Sequence, residues 1–403
     1  MTEGLKWTVN EVPKSDDKHL ELMSEENVKK ANEFHRSFPQ YSVTPLQNLS
    51  SLAKYLGVKN IFCKDESYRF GLNAFKVLGG SYAIGKYLSK KLNRDMKDLP
   101  FNVLISDEVK KQLGDVTFVT ATDGNHGRGV AWMAARLRQK SVVYMPKGSA
   151  QMRFDAIAKE GADVSITDLN YDDAVRLANK GAQDHGWIMV QDTAWDGYEE
   201  IPSWIMQGYG SMAGEAAEQL REVEVNRPTH VFVQAGVGSL AGGVVGYFAN
   251  LYPNNPPKFI VMEAGAADCL YKGAEAGDGE PRIVGGDLQT IMAGLACGEP
   301  NTIGWDILRN HVSAFISCPD WVSAKGMRML AAPVKGDPSV TSGESGAVGM
   351  GVISSIMTDD AYKELREALE LDNSSQVLMF STEGDTDPDK YKKIVWGGEY
   401  PTV

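Results

Sequence analysis

Cysteine is scarce in this chain of 403 residues, and the four present, Cys63, Cys269, Cys297 and Cys318, form no C-x-x-C pair. Neither a thiolate zinc site nor a disulfide scaffold is encoded; free thiols are expected, and a bridge between Cys269 and Cys297 stays open. Positive charge is in deficit, with 41 Lys and Arg against 53 Asp and Glu and a net charge of −12. Nucleic acid, whose phosphates call for clustered cations, is a poor partner for such a surface. Long apolar runs are also missing: Ser239 to Tyr252 is broken by glycines and falls short of the ~20 residues a membrane span needs. The start, Met1-Thr2-Glu3-Gly4-Leu5-Lys6, lacks the apolar core of a secretory signal, so a cytoplasmic location without a membrane partner is expected. His19, His35, His185, His230 and His311 show no ligand spacing, and no metal is expected.

Glycine, by contrast, is abundant at 41 residues, which implies many tight turns. A chain this long exceeds the size at which one core keeps growing, so two lobes around a small-molecule cleft are expected. From Val116 the pattern alternates: strand Val116 to Thr120, helix Asn125 to Arg138, strand Ser141 to Met145, helix Ala150 to Glu160 stopped by Gly161, strand Asp163 to Thr167, helix Tyr171 to Ala182, strand Trp187 to Gln191. A second set runs through strands at Val231 to Gln234, Phe259 to Glu263, Ala314 to Ser317 and Val377 to Phe380, with helices at Ala241 to Leu251, Trp321 to Ala332, Gly346 to Met357 and Tyr362 to Leu371. The expected fold class is α/β, with two open, mostly parallel twisted sheets and helices on both faces. The first forty residues, rich in Lys and Glu, read as an arm or a solvated helix without assignable chemistry.

Three glycine-flanked segments carry the chemistry. Lys76 stands in Asn73-Ala74-Phe75-Lys76-Val77-Leu78-Gly79-Gly80. Apolar Phe75, Val77 and Leu78 suggest a desolvated amine of lowered pKa, set against the commoner solvated lysine. Gly236-x-Gly238-x-x-Ala241, between a strand and a helix, offers the backbone N–H groups of Gly236, Val237, Gly238, Ser239 and Leu240, and the Ser239 hydroxyl, to a phosphate. With Glu263 closing the next strand it also meets the loose dinucleotide fingerprint, so a nicotinamide dehydrogenase is a rival, and a plain strand-to-helix turn is the bland reading. The loop Thr122-Asp123-Gly124-Asn125-His126-Gly127 is either a helix cap or a site whose N–H groups take a carboxylate while the Asn125 amide meets a ring oxygen. Asp192 ends a strand where open sheets line their clefts, though it fits a self-satisfied turn as well. Glu344, and the hydroxyls of Ser381 and Thr382, sit in further polar turns within reach of a ring. Together an amine, a phosphate cradle and a ring-holding turn suggest pyridoxal 5'-phosphate.

Phe75-Lys76, the Gly124-Asn125-His126-Gly127 loop and the Gly236 to Gly243 loop, in that order, resemble the tryptophan synthase β-like (fold type II) pyridoxal phosphate enzymes. Within that group, Thr122 to Trp132, Tyr144-Met145-Pro146-Lys147-Gly148-Ser149, Val190 to Trp195 and Ile201 to Tyr209 resemble the diaminopropionate ammonia-lyase family. The resemblance implies elimination of D- and L-2,3-diaminopropionate to pyruvate and two ammonia by a homodimer, with Lys76 as the Schiff-base lysine. It implies that Asp123 replaces the serine usual in dehydratases and racemases of this fold, supplying a carboxylate base where an unassisted hydroxyl would not serve. Lys76, Asp123 and Asp192 are then the catalytic candidates. Lys76 is expected to take the Cα proton of the L isomer, Asp123 that of the D isomer, and Asp192 to hold the distal ammonium or to position that reaction face. Phe75, Lys76, Asn125, Gly236 to Leu240 and Thr382 fall to the cofactor; Thr122, Asp123, Gly124, His126 and Asp192 fall to the substrate. On this reading 1–97 and 196–403 form the large cofactor-binding domain, and 98–195 the small domain carrying the Gly-Asn-His loop. A threonine or serine dehydratase of the same fold is the nearest alternative.

Overall fold

The computed structural model describes residues 3–402, and their strands sort into two sheets. β1 (Lys6–Val9), β2 (Leu46–Asn48), β3 (Asn60–Asp65), β8 (His230–Gln234), β9 (Lys258–Ala264), β10 (Ala314–Cys318) and β11 (Gln376–Ser381) form a sheet in the order β1-β10-β9-β8-β11-β3-β2. β4 (Thr117–Ala121), β5 (Lys140–Met145), β6 (Asp163–Ile166) and β7 (Ile188–Met189) form a smaller one, β6-β5-β4-β7. All pairings are parallel except the two edge strands of the larger sheet, β1 on β10 and β2 on β3.

Burial along the inner strands explains why both faces carry helices. In β8, Val231 and Val233 enter one apolar cluster and Phe232 the opposite one; β9 splits the same way between Phe259 and Val261 on one side and Ile260 and Met262 on the other. Strands apolar on both faces exist only under helices on both faces, each buried Val, Ile or Phe contributing roughly 1.5–3 kcal/mol. One layer is formed by the helices Glu200–Glu222 and Ser239–Leu251, the other by Asp320–Ala331 and Glu344–Thr358. The last two touch backbone to backbone, because a Cβ at Gly326 would lie 2.0 Å from the Ala347 carbonyl and one at Gly351 1.9 Å from that of Val322. That close crossing holds the turn at Gly343 against the end of β11, where Gly343 N–H donates to Glu383 O.

The N-terminal segment is no free arm. β1 closes the edge of the larger sheet, and the helix Glu25–Arg36 buries Val28, Ala31, Phe34 and His35, a stripe at helical spacing that its Lys and Glu content masked. The sequence pattern also missed β1, β2 and β3. β3 ends in Lys64 and Asp65, polar residues that break an apolar run yet are buried, because Lys64 pairs with Glu215 at 2.8 Å. No helix among the described residues is long and apolar enough to cross a membrane. All four cysteines are buried free thiols.

Candidate active site

The cleft lies where the carboxyl ends of both sheets meet, as open α/β folds dictate. Its walls include Phe75, Lys76, Asp123, Asn125, Asp192, Gly236, Val237, Gly238, Ser239, Leu240 and Thr382, segments separated by long stretches of chain. Thr122, Gly124 and His126 do not line it. The Thr122 hydroxyl accepts from Gly124 N–H at 2.9 Å, and His126 is buried with Nε2 2.8 Å from Val190 O. These residues shape the loop from behind.

Lys76 immediately precedes the helix Val77–Leu92, and Phe75 N–H donates to Thr382 O at 3.0 Å, which ties the lysine to the end of β11. Nζ lies 2.5 Å from Asp192 Oδ2, and Tyr209 Oη donates to the same oxygen at 3.3 Å. Burial disfavours the ammonium, but the Asp192 carboxylate more than reverses it and holds the amine above its ordinary value. Burial likewise pushes Asp192 up, while Lys76 and the nearby His126 draw it down to about 2. The neutral amine expected from the apolar neighbours of Lys76 is therefore replaced by an ion pair, whose carboxylate stands far away in sequence, not at a strand end as expected but in a bend three residues past β7.

Across the cleft Asp123 follows β4, with Arg153 Nη1 donating to its Oδ2 at 3.1 Å. Burial raises its pKa, with Arg153 and Lys76 working against the rise and Glu383 adding to it. Asn125 opens the helix Asn125–Arg136 and its amide donates to Glu383 Oε2 at 2.6 Å. Glu383 Oε1 accepts from Ser345 N–H at 3.1 Å. Glu344 stays off the cleft wall, its carboxyl pushed up to about 7 by burial and by Glu383.

The turn after β8 fits a phosphate. The N–H groups of Gly236 to Leu240 have no acceptor among the described residues, and Gly238, at φ +100°, supplies the left-handed bend that starts the helix Ser239–Leu251. The Ser239 hydroxyl does not add to this cradle as expected. It donates to Asp192 O and accepts from Asn301 Nδ2 at 2.7 Å, so its proton is committed to binding the cradle to the bend that carries Asp192. A heteroaromatic ring also fits. The Thr382 hydroxyl accepts from Gln234 Nε2 at 2.8 Å, which leaves its own proton free for a ring nitrogen. Glu263 does not fit a nucleotide ribose. It is fully buried and accepts from Leu270 N–H at 2.9 Å and Tyr271 N–H at 2.6 Å, capping the helix Cys269–Ala276, so the dinucleotide reading fails on geometry.

Sequence reasoning passed over Tyr171, Tyr209, Arg153, Cys297 and the Gly294–Leu295 turn, all at or beside the cleft. Gln234 left a readable signal, a lone polar residue closing an apolar strand before a glycine turn. The others sit in helices and loops whose local pattern says nothing of the cleft.

A half-buried lysine and an N–H cradle in one cleft at the carboxyl ends of two α/β sheets define the class of pyridoxal phosphate enzyme, and the family model "Pyridoxal-phosphate dependent enzyme" matches residues 38–383. Diaminopropionate ammonia-lyase of Salmonella typhimurium strain LT2 is 57% identical over 366 residues, 91% of this chain and 91% of the relative. The enzyme of the same name from Escherichia coli strain K12 is 52% identical over 380 residues, 94% of each. The crystal structure of the Escherichia coli enzyme in complex with D-serine superposes with a TM-score of 0.92 at 49% identity, covering 99% of both chains. The chain belongs to the pyridoxal-phosphate dependent enzymes and, within them, to the diaminopropionate ammonia-lyase family.

Proposed function

We propose that this protein eliminates ammonia from 2,3-diaminopropionate, accepting D and L isomers, and yields one pyruvate and two ammonia with consumption of one water. The observation that carries the reading is a cleft with two differently held proton carriers: Lys76, paired with Asp192, and Asp123, paired with Arg153. Pyridoxal phosphate, when bound, supplies an aldehyde for the substrate amine and a ring that withdraws electrons from Cα. Lys76 would hold the aldehyde carbon, Gly236 to Leu240 the phosphate, Asn125 and Thr382 the ring, and Phe75 would pack beside it.

Lys76 Nζ takes the Cα proton of the L isomer. Asp192, 2.5 Å from it, stabilises the ammonium so formed and makes the amine the stronger base. Asp123 Oδ takes the proton of the D isomer, since burial lifts its basicity above that of an exposed carboxylate. The distal amine of the substrate, held as ammonium beside Asp192, leaves as ammonia. The substrate carboxylate meets the N–H end of the helix Asn125–Arg136, whose shape Thr122, Gly124 and His126 maintain.

The strand grouping supports a large cofactor-holding domain of 1–97 and 196–403 and a small one of 98–195. Buried free thiols and net charge −12 support the cytoplasm, and the family likeness supports a homodimer, which the mass of the purified protein in solution would test. The decisive experiment incubates the purified holoenzyme with each diaminopropionate isomer and counts products. Two ammonia per pyruvate from both isomers is expected. Turnover of L-threonine or L-serine with none of diaminopropionate would instead make the protein a dehydratase.

A further inference from the structure

The second proton carrier is held by a residue with no signature in the sequence. Arg153 stands in the first turn of the helix Gln151–Lys159, its side chain 8% exposed, with two hydrogen bonds holding its guanidinium and one packing contact holding its stem. Nη1 donates to Asp123 Oδ2 at 3.1 Å, and Nη2 donates to Thr386 Oγ1 at 3.4 Å, beyond the end of β11. The stem lies on Gly124, where a Cβ would come within 2.9 Å of Arg153 Cδ. Nε is buried without a partner. The arginine therefore spans from the smaller sheet to the larger one, with Asp123 between it and the cleft. The charged groups around it are Asp123, Glu383, Glu344 and Asp387, and those around Asp123 are Arg153, Lys76 and Glu383. Tyr171 and the Cys297 thiol complete the surroundings of Asp123, both kept neutral by burial.

We propose that Arg153 is the positioning residue of Asp123: its guanidinium fixes the carboxylate in the cleft and so serves the D-isomer reaction, leaving the L-isomer reaction to Lys76 and Asp192. The inference rests on the reading of Asp123 as the base for the D isomer. A carboxylate in a loop rotates unless something holds it, and one displaced by an ångström is a poor base. The planar guanidinium reaches Asp123 through Nη1 while Nη2 is anchored on Thr386, a two-point arrangement that the single mobile ammonium of a lysine reproduces less well. Removing the fork also removes the charge that opposes burial and Glu383, so Asp123 would keep its proton to higher pH.

The test compares Arg153→Gln and Arg153→Lys holoenzymes with wild type on both isomers across pH. The D/L ratio of kcat/KM should fall on the order of 10- to 100-fold in Arg153→Gln, through kcat, and by less in Arg153→Lys. The acid limb of the D profile should move to higher pH while that of the L profile stays. In an Asp123→Asn background Arg153→Gln should cost the D reaction nothing further, since partners in one function are not additive. A D/L ratio within two-fold of wild type in both variants, or a double variant slowed by the product of the single losses, overturns the proposal. L-isomer turnover reports folding of each variant, and Arg153→Lys decides the matter if Arg153→Gln loses both reactions. Wild-type enzyme inactive on both isomers would remove the underlying reading itself, a separate and recognisable failure.

Discussion

Two buried clusters of charge, one beneath the turn that leads to Lys76 and one in the cleft, obey opposite rules. In the first, Lys64, Glu66, Arg69 and Glu215 are fully buried and fully satisfied. Lys64 Nζ donates to Thr44 O, Glu215 and Gln219 at 2.8 Å each, and Arg69 donates through Nε and both Nη atoms to Ser42, Thr44, Glu66 and Glu215. Burial pushes Glu215 up, but Arg69 and Lys64 draw it down to about 2. In the second, polar atoms are left without partners: His126 Nδ1, Arg153 Nε, Thr193 Oγ1, Gln234 Oε1 and Glu344 Oε1 are the buried unpaired side-chain atoms among the described residues; Gln234 lines the cleft, His126, Thr193 and Glu344 adjoin residues that do, and Arg153 pairs with Asp123. An unpaired buried donor or acceptor costs roughly 1–3 kcal/mol, so a fold keeps such atoms where a ligand or reaction uses them and removes them elsewhere. Charge that only holds the chain together is closed on every side; the cleft pairs its charges too, Lys76 with Asp192 and Asp123 with Arg153, but leaves polar atoms beside them unpaired.

The sharpest way to break this contrast exchanges one residue in each cluster. Lys76→Ala should lower turnover at least ~10⁴-fold while costing less stability than Glu215→Gln, because Lys76 is part-exposed at the cleft and Asp192 keeps Tyr209 as a partner. Kinetics and urea melts of the same preparation check it, and a large loss of stability would make the cleft pair structural. Glu215→Gln should do the reverse, costing about 3–5 kcal/mol in urea melts by stranding Lys64 and Arg69 while folded molecules keep their activity. Within the cleft, Asp123→Asn should slow the D isomer by about 10²-fold and the L isomer by only a few fold. Equal losses would refute the division of labour between the two bases.

The smallest effect concerns pH. Glu344 has a folded pKa of about 7 against 4.5 unfolded, so its stabilising contribution is complete below about 4.5 and is lost as pH rises through 7. Glu344→Gln should therefore match wild type at pH 4.5 and be more stable by on the order of 2 kcal/mol at pH 8, read from melts at both values. A gap that stays constant with pH would mean that Glu344 does not titrate in this window.

The fold was legible wherever periodicity is local. Strands such as Phe259 to Glu263 and helices such as Asn125 to Arg138 announce themselves in the sequence pattern, and their boundaries in space differ by a residue or two. β3 escaped because its Lys64 is buried by a partner on the helix Glu200–Glu222, a compensation that no local pattern records. The site was legible where backbone chemistry leaves a mark: glycines around Gly238, an amine after Phe75, a carboxylate before Gly124. It was illegible where a side chain acts through a distant neighbour, as with Arg153 and Tyr209.

By itself the amino-acid order determined two layered α/β sheets, a phosphate-ready turn and the residue types of a proton-transfer site, because hydrogen-bond geometry and side-chain chemistry are local properties. Charge state was decided only in three dimensions. The neutral amine that the neighbours of Lys76 suggest becomes an ammonium because Asp192 arrives at 2.5 Å, and Asp123 owes its place to Arg153 at 3.1 Å. Coulomb energy depends on distance through space, and chain order alone does not contain that distance.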